Sequence, residues 1–169
     1  MMTKKFYFIS PLVLFCAFLL DGQLATLVSN LLPGSFTIGV YLLMILGIYL
    51  NFYLPLGYSL FLFAVVGLVY DLYYFNLIGI AMTLFPLAIY FIYFFYQNLR
   101  FRMGTNLVIL LVIVFFVECA SFGLARLFHL TNLSLFLFVI YHLLPTLIFN
   151  LILLLGLHPF LNTLFYKHQ

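Results

Sequence analysis

Charge is what this sequence most lacks: six Lys or Arg and three Asp or Glu among 169 residues, 5% of the chain. A soluble domain carries about 25% charged residues, so these side chains could not coat a water-facing surface. Cytosolic enzymes, nucleic-acid-binding modules and secreted scaffolds are excluded on that ground. Cysteine is nearly absent too, and Cys16 and Cys119 both lie in apolar runs. Two cysteines are too few for a disulfide framework or a structural zinc site. There is no Trp, so the 13 Tyr must supply any aromatic belt at the membrane interface. What is present is apolar: 68% hydrophobic and 21% aromatic residues, with a mean hydropathy of +1.33. The sequence reads as an integral membrane protein. At about 20 residues per span its length allows six or seven spans at most and leaves no room for a separate soluble domain.

The N-terminus imitates a signal peptide, with Lys4-Lys5 before an apolar stretch from Phe6 to Leu20. No small-x-small cleavage site follows, because the next residues are Asp21-Gly22-Gln23-Leu24. An uncleaved first helix is expected. Breaks at Pro, Gly, Asn and charge then predict six spans: 6–29, 37–50, 56–75, 77–97, 107–128 and 134–157. The first is ended by Asn30-Leu31-Leu32-Pro33-Gly34-Ser35. The stretch from Thr37 to Phe75 would be about 58 Å long as one helix, against a bilayer core of about 30 Å. It must fold back, and Asn51 to Gly57, with Pro55 inside, is the natural turn. A tail, 159–169, is expected along the interface.

The net charge of +3 is weak, so its placement carries the information. Lys4 with Lys5, Arg100 with Arg102, and Lys167 form three basic clusters. Loops rich in Lys and Arg stay in the cytoplasm. Six spans put all three clusters on one side with both termini inside, whereas five would place one cluster outside. The expected fold is therefore an all-α integral membrane bundle of six transmembrane helices forming one domain, residues 1–169.

Ionisable residues inside spans are costly, and each is a candidate functional residue. Here they are Asp21, Asp71, Glu118 and Arg126, with His142 beside them. Helix rise places Asp21 and Asp71 at about 22 Å from the cytoplasmic boundary, Glu118 at about 16 Å, His142 at about 18 Å and Arg126 at about 28 Å. Arg126 is at a level to reach Asp21 or Asp71, or to snorkel to the outer interface with His129. Glu118 and His142 match in depth on consecutive antiparallel spans, so a midplane hydrogen bond between them is geometrically possible. Three roles stay open for the carboxyls: buried glue in neutral or paired form, a proton or ion relay, and contact with a partner's membrane helix. The fifth span also carries two small-xxx-small pairs, Cys119 with Gly123 and Ser121 with Ala125. They permit close helix packing, within the chain or at a dimer seam.

Catalytic and cofactor signatures are missing. Asp21-Gly22-x-x-Ala25 is similar to part of the metal-binding signature of lipid-head-group transferases. Phe18 and Thr26, however, stand where that signature needs Asp and Arg, and no later Asp is suitably placed. A two-metal site needs several carboxylates converging within about 4 Å. There is no H-E-x-x-H, G-x-S-x-G or phosphate-binding glycine loop. His129, His142, His158 and His168 include no pair spaced to share a metal from one helix face. No enzyme activity, cofactor, metal or nucleic-acid partner is expected.

Three stretches together resemble the MreD family of rod-shape-determining proteins, in its Gram-positive form. They are Gly67-Leu68-Val69-Tyr70-Asp71-Leu72 followed by Leu77-Ile78-Gly79, then Glu118 with Phe122-Gly123, then Pro145-Thr146-Leu147-Ile148-Phe149-Asn150 continuing to Pro159. Each is of low complexity, and their order and spacing carry the resemblance across essentially the whole chain. Physically, Gly67 and Gly79 suit close approach of another backbone. Pro145 frees the carbonyl of Tyr141, which Thr146 or a neighbouring helix can satisfy. Asn150 can donate and accept across to an adjacent span. The resemblance implies a non-enzymatic subunit of the peptidoglycan elongation machinery in the bacterial plasma membrane. It also implies binding to the bitopic protein MreC and, through it, influence on a wall-synthesis transpeptidase and glycosyltransferase. The family in turn resembles the substrate-binding subunits of energy-coupling-factor transporters in fold. That supplies the rival expectation, a small-molecule (vitamin-type) binding subunit. Such subunits carry an A-x-x-x-A pair on the first span, whereas here Ala17 is followed by Asp21 and Ala25 by Ser29.

Overall fold

A computed structural model describes residues 2–31, 36–75 and 79–166, apart from the side chains of 2–6, 75 and 166. The expected breaks at Pro33-Gly34 and Asn76, the Leu77-Ile78 motif positions and Lys167 lie outside the described residues, as do the side chains of Lys4 and Lys5. The described chain is helical. Helix α1 is Met2–Leu31, α2 is Leu42–Leu50, α3 is Leu56–Tyr70, α4 is Ile80–Asn98 and α5 is Met103–Leu127. A π turn over Asp71–Phe75 continues α3. The last helix, α6, consists of Leu135–Phe138, a second π turn over Val139–Leu143, and Leu144–Tyr166.

Where six full spans are expected, five helices among the described residues are long and apolar enough to cross a membrane: Tyr7–Leu31, Leu56–Tyr74, Ile80–Asn98, Met103–Leu127 and Leu135–Phe165. The difference lies at 37–50. Only Leu42–Leu50 is helical, nine residues long, and residues 36–41 form neither helix nor strand, with alternate N–H groups at 37, 39 and 41 turned toward the last helix. At 1.5 Å per residue α2 measures about 13.5 Å, less than half of a bilayer core. Helix α6 continues through Pro159 to Tyr166, and its last turns dock back on the inner end of α2. Tyr49 packs on Phe165 at 5.8 Å between ring centres, its hydroxyl meets His158 Nδ1 at 2.8 Å, and the Tyr53 hydroxyl donates to the Phe165 carbonyl.

Every residue of α2 from Leu43 to Leu50 is buried. Helices α1, α3, α4, α5 and α6 follow one another around it, α3 and α4 as the most intimate pair. Such a post must be apolar all round, and the sequence Leu-Leu-Met-Ile-Leu-Gly-Ile-Tyr-Leu is. Gly47 makes room for it, since a Cβ there would stand 2.6 Å from the Ile89 side chain of α4. The outer helices bury one stripe and leave large apolar side chains outward, such as Leu144, Ile148, Ile152 and Leu155 of α6. The buried stripe of α6 runs Leu143, Thr146, Asn150, Leu154, Leu161 and Phe165, a helical spacing with two polar members. Those two meet the extended segment.

Candidate functional site

An extended backbone in an apolar interior leaves its N–H and C=O groups without partners unless side chains supply them. Residues 36–41 are supplied mainly from α6. Pro145 has no N–H, so the Tyr141 carbonyl one turn earlier is free, and it accepts the Thr37 N–H at 3.0 Å. Next along α6, Thr146 Oγ1 accepts the Gly39 N–H at 3.0 Å. One turn further, Asn150 Oδ1 accepts the Tyr41 N–H at 2.8 Å while its Nδ2 donates to the Gly39 carbonyl at 2.8 Å. The steps match: two extended residues advance about 6.6 Å and four to five helical residues about 6–7.5 Å. Helix α6 therefore serves the segment as a neighbouring strand would, with both running in the same direction. From the other side, the Ile38 N–H donates to Ser29 Oγ of α1 at 3.1 Å.

Where the segment becomes helical, α2 lacks a side-chain cap of its own. Asp21 reaches across from α1 and accepts the Leu42 N–H at 2.7 Å and the Leu43 N–H at 3.2 Å. Asp71 does the same for α4: its carboxylate accepts the N–H groups of Gly79, Ala81 and Met82 at 2.8, 2.7 and 3.0 Å. Both carboxylates sit at helix N-termini, where free amides and the helix dipole favour an anion. The π turn at Asp71 aims this one. Gly67 lies directly beneath, because a Cβ there would meet the Ala81 carbonyl oxygen at 2.5 Å. Gly79 acts differently from expectation. It makes no close approach, and its φ of +126° is the left-handed conformation that only glycine adopts without strain.

Arg126 does not reach Asp21 or Asp71. It is exposed on α5, and both carboxylates are buried and engaged by backbone amides. Nor does Gly123 serve packing within the chain, as a Cβ there would meet nothing within 4 Å. Glu118 and His142 do meet, with Nε2 2.9 Å from Oε2. His142 Nδ1 lies 2.8 Å from Thr37 Oγ1 and 3.1 Å from the Thr37 carbonyl, so the pair is tied to the start of the extended segment. With the proton on Nε2, that nitrogen donates to the carboxylate and Nδ1 accepts from the Thr37 hydroxyl; a proton on Nδ1 goes to the Thr37 carbonyl instead.

Beside this pair lies a cavity of about 440 Å³ lined by Thr37, Gly39 and Tyr41, by Tyr70 and Ala81, and by Glu118, Ser121 and Phe138. It lies toward the N-terminus of α4 and the C-terminus of α5, the bundle end opposite Arg100 and Arg102. Glu118 is 4% exposed, and its Oε1 has no hydrogen-bond partner among the described residues. That oxygen presses on Gly39, where a Cβ would be 2.8 Å away.

The profile of the rod shape-determining protein MreD family matches residues 2–168. The chain belongs to the MreD family. No curated protein and no solved structure matches it. As an MreD-family member it is a membrane protein associated with cell shape, and the three resembling stretches take physical form in it. Gly67, Asp71 and Gly79 join α3 to α4, Glu118 faces the cavity, and Pro145, Thr146 and Asn150 hold the extended segment. Sequence reasoning missed Thr37, Gly39 and Ser29. Their one signal was the shortness of the 37–50 run, too brief for a helix that spans.

Proposed function

We propose that this MreD-family chain is a non-catalytic subunit of the cell-wall elongation machinery in the bacterial plasma membrane, and that it binds a bitopic MreC-type protein. Through that partner it supports the transpeptidase and glycosyltransferase of peripheral peptidoglycan synthesis. The chain passes the membrane six times as one domain, with both termini cytoplasmic and a fold akin to energy-coupling-factor substrate-binding subunits. The second pass is the broken one. Residues 36–41 add roughly 20 Å at about 3.3 Å each to the roughly 13.5 Å of α2, which together match a core of about 30 Å. Six passes keep all the basic clusters on one side.

The observation that carries the reading is the unpaired oxygen of Glu118, a buried carboxyl on the cavity wall. Asp21, Asp71, Thr146 and Asn150 all hold the chain's own backbone, which answers why a membrane interior tolerates them. Glu118 lines the cavity with no such duty: its Oε1 is buried against Gly39 and has no hydrogen-bond partner among the described residues. A buried unpaired acceptor costs about 1–3 kcal/mol, and a hydrogen bond to a charged group contributes about 1.5–3 kcal/mol. A donor brought into the cavity by a partner's membrane-proximal segment gains both once the carboxyl turns from Gly39 toward it. The alternative, a small-molecule binding subunit, draws on the cavity itself, since about 440 Å³ lies within the roughly 300–1,000 Å³ of ligand pockets.

The test pairs depletion and imaging of wall synthesis with photo-crosslinkers at Leu133 and Ser121 on the cavity wall. The elongation reading expects rounded cells, lost sidewall incorporation and capture of a bitopic MreC-type protein. Retained shape and incorporation with no bitopic partner captured sinks it. A small molecule that co-purifies and blocks crosslinking supports the alternative.

A further inference from the structure

A second concavity lies on the outside of the bundle, between α5 and the first turns of α6. It measures about 600 Å³ and is walled by Phe115, Phe122, Leu135, Phe138 and Leu143, with Gly123 on its α5 side. Along α5 it runs from Phe115 to Leu127, about 18 Å by helix rise. One leaflet of hydrocarbon is about 15 Å thick. The stacked rings of Phe122 and Phe138, 4.1 Å apart, separate it from the Glu118 cavity, since both rings line both spaces.

Arg126 stands at the end of this cleft. It is exposed and makes no ion pair among the described residues. It also stands apart in the sequence: the other five Lys and Arg fall at 4, 5, 100, 102 and 167. Arg100 and Arg102 precede the first turn of α5 and Arg126 lies in its last, about 35 Å away along the helix. With a hydrocarbon core of about 30 Å, Arg126 falls at headgroup level on the far side from them. A cation that stands alone among the described Lys and Arg side chains on that side, above an apolar cleft one leaflet deep, is complementary to one kind of molecule.

We infer that the α5–α6 cleft binds an anionic phospholipid, one acyl chain lying between Phe115 and Phe138 over Gly123 and the phosphate on the Arg126 guanidinium. The planar guanidinium suits bidentate contact with phosphate oxygens. Gly123 supplies the depth that any larger side chain would fill.

The full chain reconstituted in nanodiscs of phosphatidylglycerol or of phosphatidylcholine tests this by native mass spectrometry, without any protein partner. Wild type is expected to release from phosphatidylglycerol discs with one lipid retained, and to retain phosphatidylcholine about tenfold less, because the choline ammonium cancels the headgroup's net charge and sets a second cation beside the Arg126 guanidinium. Arg126→Gln is expected to make the two lipids equal, while Arg102→Gln at the opposite end leaves the preference intact. Gly123→Leu is expected to retain neither lipid while eluting as wild type on size exclusion. Equal retention of the two lipids by wild type, or an unchanged preference in Arg126→Gln, overturns the inference. So does a Gly123→Cys disulfide joining two copies in membranes, which would place a second chain in the cleft. These outcomes are read on the isolated chain, so they stand apart from the fate of the elongation reading.

Discussion

The carboxylate of Asp71 accepts the backbone N–H of Ala81 at 2.7 Å, and with it those of Gly79 and Met82. Three donors on two oxygens make Asp71 the N-terminal cap of α4, delivered from the preceding helix. Asp71→Leu orphans all three amides and should lower stability by at least about 3 kcal/mol, at about 1 kcal/mol or more per buried donor. Asp71→Asn keeps one acceptor oxygen but turns an NH₂ toward the remaining amides, so an intermediate loss is expected. Membrane accumulation of a fluorescent fusion and melting in detergent measure the series. Loss of cell shape in Asp71→Asn at full membrane accumulation and unchanged melting would instead indicate that the charge itself is used, as in a proton relay.

The attachment of residues 36–41 to α6 gives a second prediction. Asn150→Leu strands the Tyr41 N–H and the Gly39 carbonyl, whereas Thr146→Val strands only the Gly39 N–H. The expected losses are about 2–5 kcal/mol for the first and about 1–3 kcal/mol for the second. A cysteine at Val40, buried in the wild type, reports the local effect. Its labelling by a membrane-permeant maleimide should rise most in Asn150→Leu and little in a lipid-facing control such as Ile152→Val. No difference between these backgrounds would mean that the segment is held by something other than α6.

Two glycines make opposite demands although both are crowded. At Gly67 the obstacle to a Cβ is backbone, the Ala81 carbonyl at 2.5 Å, so α3 and α4 must separate. At Gly22 the obstacle is the Tyr74 hydroxyl, the far end of an exposed side chain. Gly67→Ala is therefore expected to cost about 1–3 kcal/mol by overpacking. Gly22→Ala should cost little as Tyr74 swings aside. Paired melting curves in one detergent decide the order.

How far the sequence could be read follows from the same contacts. Long apolar runs announced the five full helices, and matched depths announced Glu118 with His142, because both depend on helix rise alone. Pro145 announced a free carbonyl at Tyr141, but its acceptor role toward Thr37 was hidden. Which backbone arrives depends on tertiary packing of an element with no hydropathy signature of its own. Thr37 to Tyr41 reads as apolar as any helix, and only its side-chain partners on α1 and α6 make extension tolerable. Asp21 and Asp71 were legible as costly residues but not as caps, since the helices they cap begin many residues later.

Glu118 supports the last prediction. In Glu118→Gln the side-chain carbonyl can still accept from His142 Nε2, so the tie to Thr37 survives and the fold should hold to within about 1 kcal/mol, the worth of one neutral hydrogen bond. The unpaired atom changes from an acceptor to an NH₂ donor, which repels the donor that Oε1 would receive. Partner capture by cavity crosslinkers should fall about tenfold or more, equivalent to a lost contact of about 1.5–3 kcal/mol. His142→Phe removes the pairing but leaves the carboxylate. It should weaken melting more than Glu118→Gln does and capture less. A Glu118→Gln chain that accumulates normally and captures its partner as wild type would show that the unpaired oxygen is not the point of contact.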